Sequence, residues 1–393
     1  MNRLLAITLA VLALFSLSAC GEQAPSSPVE PTPPVQEEVP AVEPPPPSTE
    51  PELPADPVER LLDSMTLEEK VGQVFFVRCP AENAVEDVRA YHLGGYILFS
   101  RDAKEKTANE LIQTIQSYQD AAAVPLLIGV DEEGGSVVRV SSNPNLRSER
   151  FASPQRLYDL GGMERITEDV REKDVLLKAL GFNVNLAPVA DVSTNPDDFI
   201  NARSFGQDAA ATAEYISAVT SQMAADGIGS VVKHFPGYGD NVDTHTGIAV
   251  DDRPYEDFVN EDFLPFSAGF ESGGDTAAVL VSHNIVECMD AELPASLSPN
   301  VHRILREKLG FDGVVMTDDL AMEAVSAYAG DGAVAVMALE AGNDLMLTTD
   351  YRVQIPKVIA AVEGGDLDVS VIDTACRRVL RWKQSLGLME GLA

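Results

Sequence analysis

The feature that most constrains the fold of this chain is a regular alternation of short apolar runs with longer amphipathic stretches. The apolar runs are rich in β-branched residues, which favours strands. They are Gln73–Cys79, Gly95–Phe99, Leu126–Val130, Phe182–Pro188, Ser230–Val232, Ala277–Val281, Gly313–Met316 and Asp344–Thr348. Helical spacing lies between them, for example in Ala108–Ala122, Ala211–Asp226, Val301–Leu309 and Gly332–Ala341. Eight strands alternating with helices predict an α/β fold, a single (β/α)8 TIM-type barrel. A doubly wound open sheet gives similar local patterns and is the alternative.

Polar and ionisable residues gather where the predicted strands end. The third strand runs into Asp131–Gly135, the fourth into Asp191, the sixth into Ser282–Asn284 and the seventh into Thr317–Asp319. Barrel enzymes place their chemistry at the C-terminal ends of strands. A single such residue, Asp319 for example, could be a helix cap or an ion-pair partner at the rim. Their repetition at successive strands favours a catalytic site.

The fifth strand runs into Lys233–His245, which reads KHFPGYGDNVDTH and holds two of the five histidines. Asp243 and His245 are two residues apart, so in extended backbone both side chains leave the same side. A carboxylate beside an imidazole can orient the ring and hold its proton for delivery. An isolated Asp-x-His would be an ordinary polar loop, but this one follows a strand of the predicted barrel.

The N-terminal part of the chain is predicted to lie outside the fold. Residues 1–19 have a short positive start and an apolar run, Leu4–Leu17, that is too short to span a bilayer. The run ends in Leu17–Cys20, which resembles the lipobox of bacterial lipoproteins and implies lipidation of Cys20 and an extracytoplasmic, membrane-anchored protein. An ordinary cleaved signal peptide is the alternative.

Residues 20–56 are predicted to be a disordered linker that follows the lipidated cysteine. Residues 21–56 contain twelve prolines and eight acidic residues but no Lys or Arg. Such a composition cannot bury apolar surface and favours extended polyproline II. We expect a semi-stiff stalk between the membrane and the catalytic barrel, residues 57–393.

Composition also restricts the partners and cofactors of the folded part. Residues 57–393 carry a formal charge of −27 out of the −34 of the whole chain, which argues against nucleic acid or anionic lipid as a partner. Three cysteines remain there, Cys79, Cys288 and Cys376, and their odd number and scatter predict free thiols. The sequence has no CxxC, HExxH, HxH, Walker or GxSxG motif. We therefore expect no metal, no cofactor and no serine nucleophile, and we expect a monomer.

Four motifs together resemble a known family. KHFPGYGDNVDTH, GVDEEGGSVVR, NARSFG and FDGVVMTDDLAM are similar to the motifs of glycoside hydrolase family 3, in its NagZ-like β-N-acetylglucosaminidase branch. The likeness runs from about residue 60 to the C-terminus. Tyr238 stands where the family usually has His, and Thr244 replaces the commoner Ser, which bears on substrate fit more than on chemistry.

The resemblance implies a role for each matching residue. Asp318 corresponds to the family's nucleophile, and His245 to its general acid/base with Asp243 as partner. The residues that would hold a terminal N-acetylglucosamine are Asp131, Arg139, Arg203, Lys233 and His234. Retaining hydrolysis needs a carboxylate to attack the anomeric carbon and a second group to move protons, a task that a His–Asp pair can perform.

Many family members carry a second domain, and some take their acid/base from it. About forty residues follow the eighth predicted strand here, and they read as two helices, Val353–Val362 and Val371–Gly387. We therefore expect the acid/base on the barrel. The implied activity is exo-hydrolysis of peptidoglycan-derived saccharides. The alternatives are a β-glucosidase or β-xylosidase, a phosphorolytic member, and a non-catalytic sugar-binding lipoprotein.

Overall fold

The computed structural model describes residues 56–241, 249–322, 325, 328 and 334–390, and its centre is a parallel sheet of eight strands. These are β1 (Phe75–Arg78), β2 (Gly95–Leu98), β3 (Leu127–Val130), β4 (Val184–Asn185), β5 (Gly229–Phe235), β7 (Ala277–Val281), β9 (Val314–Thr317) and β10 (Met346–Thr348). A two-stranded ribbon consists of β6 (Val250–Asp251) and β8 (Ile285–Val286). Each predicted apolar run therefore overlaps a strand, with β4 shorter and β5 longer than expected.

The sheet curls until its first and last strands meet. β1 pairs in parallel with β2 on one side and with β10 on the other, where Phe75 lies opposite Met346. β9 and β10 are joined by a parallel bridge between Met316 and Leu345. An open sheet would leave two unpaired edge strands, so the predicted barrel is confirmed and the doubly wound alternative is wrong.

Helices connect the strands around the outside of the barrel. Their bounds are Pro57–Ser64, Leu67–Gln73, Ala84–Tyr91, Ser100–Ala103, Ala108–Gln119, Pro154–Leu180, Ala209–Asp226, Tyr255–Asp257, Phe263–Gly273, Pro299–Arg303, Val334–Ala341, Tyr351–Gly364 and Val369–Ser385. The predicted helix Val301–Leu309 begins earlier, and its second half is a π-helical turn, Ile304–Lys308. Side chains such as Thr107 and Asp208 accept a backbone N–H at helix starts. None of the helices in the described part of the chain combines the length and the apolar character that crossing a membrane requires.

The barrel has one apolar core inside the ring of strands and another between the strands and the helices. Successive side chains of a strand alternate between the two cores. Val279 and Val281 of β7 face the helices, whereas Ala278 and Leu280 face the barrel axis. The axis-facing residues of the other strands are Phe76, Ile97, Leu127, Val184, Leu186, Val231, Val314, Met316, Leu345 and Leu347. Trp382 closes the N-terminal end, where its Nε1 donates to the Thr276 carbonyl at 3.0 Å.

The same alternation identifies the side chains at the C-terminal mouth. Successive side chains of a strand point to opposite faces, so the residue two positions beyond the last axis-facing apolar residue again faces the axis. Applied to β1, β2, β5, β7 and β9, this rule gives Arg78, Phe99, Lys233, Ser282 and Asp318. Gly129 takes the corresponding position on β3, so the next side chain on that face is Asp131, which pairs with Lys233. We define these six residues as the mouth layer. Three of these six are residues that the sequence analysis selected as functional.

Candidate active site

Four charged side chains form a network at the barrel mouth. Lys233 Nζ lies 2.8 Å from Asp131 Oδ1 and 2.7 Å from Glu133 Oε1. Arg203 grips the same Glu133 carboxylate through both oxygens, with Nε 3.0 Å from one and Nη2 2.7 Å from the other. The end of β3, the loop after β4 and the end of β5 thus contribute to one cluster of alternating charges.

Ion pairing keeps these buried groups charged. Burial by itself would raise the pKa of Glu133, but Lys233 and Arg203 outweigh it and hold the pKa well below its ordinary value. Lys233 shows the converse: burial would lower its pKa, yet Asp131 and Glu133 raise it. These groups therefore stay ionised near neutral pH and suit binding rather than proton transfer.

His234 is held by a second carboxylate, Asp191. Its Nδ1 lies 2.7 Å from Asp191 Oδ2, and its Nε2 lies 3.2 Å from Arg203 Nη2. Since a guanidinium only donates, Nε2 accepts and Nδ1 carries the proton given to Asp191. Asp191 is fully buried and also accepts the backbone N–H of His234 at 3.2 Å and of Tyr238 at 2.8 Å. The ring is therefore fixed in one tautomer and one orientation.

Glu132 and Glu133 are neighbours with different tasks. The Glu132 carboxylate accepts the backbone N–H groups of Arg139, Val140 and Ser141 at 2.7, 2.7 and 3.1 Å. It is fully buried and also accepts the Ser141 hydroxyl. This bonding holds the loop that carries Arg139, whose guanidinium lies 5.8 Å from the Phe99 ring centre.

Asp318 directly follows β9 in the mouth layer. Its backbone N–H continues the ladder by donating to the Val281 carbonyl at 3.1 Å, and its Oδ1 accepts the Asp319 N–H at 2.8 Å. Asp319 has a structural role, because its carboxylate accepts the N–H of Ala321 at 3.0 Å and the hydroxyl of Thr349 at 3.0 Å. His283 supports the same turn, with Nε2 3.1 Å from the Asp319 carbonyl.

Asp243, Thr244 and His245 lie outside the described residues, as does Cys20. The residues on either side of this segment are tied to each other: Asn241 Nδ2 donates to Asp251 Oδ2 at 2.8 Å. Arg253 bridges Asp251 and Asp262, each at 2.9 Å.

The backbone before Asn241 also packs against these anchoring groups. Gly237 has φ +129°, and a Cβ there would come within 2.0 Å of Asp262 Oδ1. The turn before Asn241 thus depends on a glycine in a left-handed conformation with no room for a side chain.

The structure brings together four of the five predicted binding residues, Asp131, Arg203, Lys233 and His234. Arg139 lies beside Phe99. Sequence reasoning assigned no role to Glu133 or to Asp191, although both occupy polar stretches that it noted at strand ends. Glu133 follows Asp131 by two residues, and that spacing was a signal for a second carboxylate in the same cluster.

Comparisons with known proteins place these features in a family. A model described as the glycosyl hydrolase family 3 N terminal domain matches residues 66–382. Beta-hexosaminidase LpqI of Mycobacterium tuberculosis is 31% identical over 328 residues, covering 80% of this chain and 82% of that protein. The beta-hexosaminidase of Thiobacillus denitrificans is 36% identical over 283 residues, covering 69% of this chain and 75% of that protein.

Solved structures show the same likeness. The structure of LpqI matches with a TM-score of 0.74 at 29% identity, covering 83% of this chain and 95% of that one. A glycoside hydrolase family 3 beta-N-acetylglucosaminidase from a Paenibacillus species matches with a TM-score of 0.77 at 32% identity over 84% of this chain. This chain spans 64% of that protein's length, just under two thirds.

Proposed function

The chain belongs to glycosyl hydrolase family 3 and is a glycoside hydrolase, and we propose that it is a retaining, exo-acting β-N-acetylglucosaminidase. Its substrate would be a terminal, non-reducing, β-linked N-acetylglucosamine, released from peptidoglycan-derived saccharides. The observation that carries the proposal is Asp318, a carboxylate oriented by the Asp319 N–H in the mouth layer that also holds the Asp131–Lys233 pair. The printed names of the relatives, beta-hexosaminidase and beta-N-acetylglucosaminidase, support the choice of sugar.

In this proposal the charged network binds the sugar through the donors that the protein leaves unoccupied. Two of the three Lys233 donors can be directed to Asp131 and Glu133, so a third is available for a hydroxyl. Arg203 uses Nε and Nη2 within the protein and leaves Nη1 without an acceptor among the described residues. His234 and Arg139 complete the set of groups around the hydroxyls and the acetamido group.

The reaction proceeds in two steps. Asp318 attacks the anomeric carbon while the glycosidic bond breaks, and His245 gives its proton to the leaving oxygen. His245 then removes a proton from water, which attacks the same carbon and releases Asp318. Asp243 orients His245 throughout. Two inversions at one carbon retain the β configuration.

A panel of aryl β-glycosides tests the function. We expect the N-acetylglucosaminide to be hydrolysed with a kcat/KM at least about tenfold above those of the glucoside and the xyloside. A higher kcat/KM for the glucoside or the xyloside would show that the sugar has been assigned wrongly. A product that forms only when phosphate is present would indicate phosphorolysis. Binding of N-acetylglucosamine without turnover of any glycoside would identify a non-catalytic sugar-binding protein.

Arg203→Ala tests the binding network. The change removes a charge-assisted interaction with the sugar, so we expect kcat/KM to fall roughly 10- to 100-fold. Arg377→Ala is the matched control, because Arg377 also pairs with a glutamate, Glu59 at 2.8 Å, but is carried by the helix that closes the opposite end of the barrel. If Arg203→Ala changes kcat/KM less than twofold while lowering Tm, Arg203 is a structural ion-pair residue.

We also propose that the protein is anchored to the outer face of the cytoplasmic membrane through lipid on Cys20. The support is the sequence of residues 1–20 and the Pro- and Glu-rich linker. Cys20→Ser is expected to move the protein from the membrane fraction or to stall its processing, with the specific activity unchanged. Membrane association that survives this substitution would refute the anchor.

A further inference from the structure

Two arginines share one aromatic ring at the barrel mouth. The Arg78 guanidinium lies 4.5 Å from the centre of the Phe99 ring, and that of Arg139 lies 5.8 Å from it. Phe99 packs on the apolar core inside the barrel, and Arg78 and Phe99 belong to the mouth layer. Both cations are therefore held beside the site that contains Asp318, not on the outer surface of the protein.

Neither guanidinium has an anionic partner in the described part of the chain. Nε of Arg78 and Nε of Arg139 are both buried and without a hydrogen-bond acceptor. Among the described residues, no carboxylate forms an ion pair with either side chain. Other arginines of the barrel, such as Arg203 and Arg253, are paired with carboxylates. Asp102, in the short helix after Phe99, accepts the Phe99 N–H at 2.8 Å and pairs with Arg101 at 3.4 Å.

This arrangement is informative because the barrel is rich in acid. Residues 57–393 contain 54 Asp and Glu against 27 Lys and Arg, and still none of the carboxylates in the described part of the chain forms an ion pair with either arginine. Partial burial of an unpaired cation costs free energy, which the face of an aromatic ring offsets only in part. A guanidinium is a planar fork of donors that matches the oxygens of a carboxylate or a phosphate. The missing partner is therefore best supplied by a ligand.

We propose that Arg78, together with Arg139, forms a site for an anionic oxygen group at the mouth of the barrel. The inference rests on the proposed function, since it places the anion beside the reacting sugar. Such a group has two possible sources. One is a carboxylate on the saccharide, such as the lactyl ether of N-acetylmuramic acid. The other is free inorganic phosphate, which would attack the glycosyl-enzyme, break the bond between Asp318 and the anomeric carbon and leave as a sugar 1-phosphate.

The test compares two disaccharides that differ only in charge. N-acetylglucosaminyl-β-1,4-N-acetylmuramic acid is the anionic substrate, and its lactyl methyl ester is the neutral one. In the full chain, Arg78→Gln is expected to reduce kcat/KM for the acid at least about tenfold more than for the ester, chiefly through KM. Arg78→Lys should restore part of the difference. Arg101→Gln is the control, because Arg101 is a neighbouring arginine that already has a carboxylate, and it should leave the ratio of acid to ester unchanged.

A second arm supplies inorganic phosphate to the wild type and to Arg78→Gln. Sugar 1-phosphate formed by the wild type and lost in the variant would assign the site to phosphate. Equal effects of Arg78→Gln on acid and ester, with no phosphate-dependent product, would overturn the anion site. Calorimetry with N-acetylmuramic acid and with its methyl ester measures affinity for the site without any turnover. If no glycoside is hydrolysed, the proposed function fails, while an Arg78-dependent preference for the acid would still support this site and equal affinities would refute it.

Discussion

Asp318→Asn is expected to abolish turnover of every glycoside, with kcat reduced on the order of 10³-fold or more. An amide oxygen is too weak a nucleophile to form the covalent intermediate, so the loss does not depend on the leaving group. Steady-state assays with an activated aryl N-acetylglucosaminide and with a disaccharide measure it. The Asn side chain keeps an oxygen able to accept the Asp319 N–H, now 2.8 Å from Oδ1, so Tm should change little.

Asp319→Asn is the matched control, because it alters the adjacent carboxylate of the same motif. Asp319 accepts groups of Ala321 and Thr349, so this change should lower Tm and retain most of the activity. If Asp318→Asn keeps more than a few per cent of wild-type kcat, or if Asp319→Asn is the inactive variant, the nucleophile has been assigned to the wrong residue.

His245→Ala is expected to separate substrates by their leaving groups. A poor leaving group such as a sugar needs the proton of His245, whereas dinitrophenol leaves without it. Glycosylation should therefore survive with the dinitrophenyl glycoside and be largely lost with the disaccharide, by roughly 10²- to 10⁴-fold. Because deglycosylation needs His245 as base, the intermediate should accumulate. Stopped-flow measurement of dinitrophenol release should show a burst followed by a slow steady state.

Azide provides the complementary measurement. It needs no base, so it should speed turnover of His245→Ala and yield the β-glycosyl azide. Asp243→Ala should show a weaker form of the same behaviour, since it removes only the partner that orients the ring. Peptide mapping of the accumulated adduct is expected to find it on Asp318. His92→Ala, at the end of the helix Ala84–Tyr91, is the control histidine and should behave as the wild type.

The mechanism is wrong if His245→Ala slows activated and natural substrates equally, with no burst and no azide rescue. His245 would then be a binding residue. The two variants answer separate questions: Asp318→Asn asks where the covalent bond forms, and His245→Ala asks which group moves the proton.

The strand pattern was the part of the fold that local sequence determined most fully. β-Branched apolar runs of a few residues have few ways to bury themselves, and their two-residue period decides which side chains face the axis. Asp131, Lys233 and Asp318 each lie within two residues of the end of an apolar run, and this position makes them candidate site residues before any contact is known. The limits of the strands were harder to predict. β4 is shorter than its apolar run, because the Asn183 side chain, and not its backbone, accepts the Ile128 N–H at 2.8 Å.

Partners distant in sequence were decided only by the tertiary structure. Glu132 and Glu133 are the same residue type in one motif. The two-residue spacing from Asp131 points to Glu133 as its neighbour, but no local rule gives the partner of either carboxylate. The barrel turns Glu132 toward the backbone of its own loop, 2.7 Å from the Arg139 N–H, and turns Glu133 toward Arg203, seventy positions away. Arg78 illustrates the same limit, because its sequence neighbours predict only the end of a strand. Phe99 and Arg139 come beside it only when adjacent strands pair, since contacts across a barrel depend on strand order and register, which act over the whole chain.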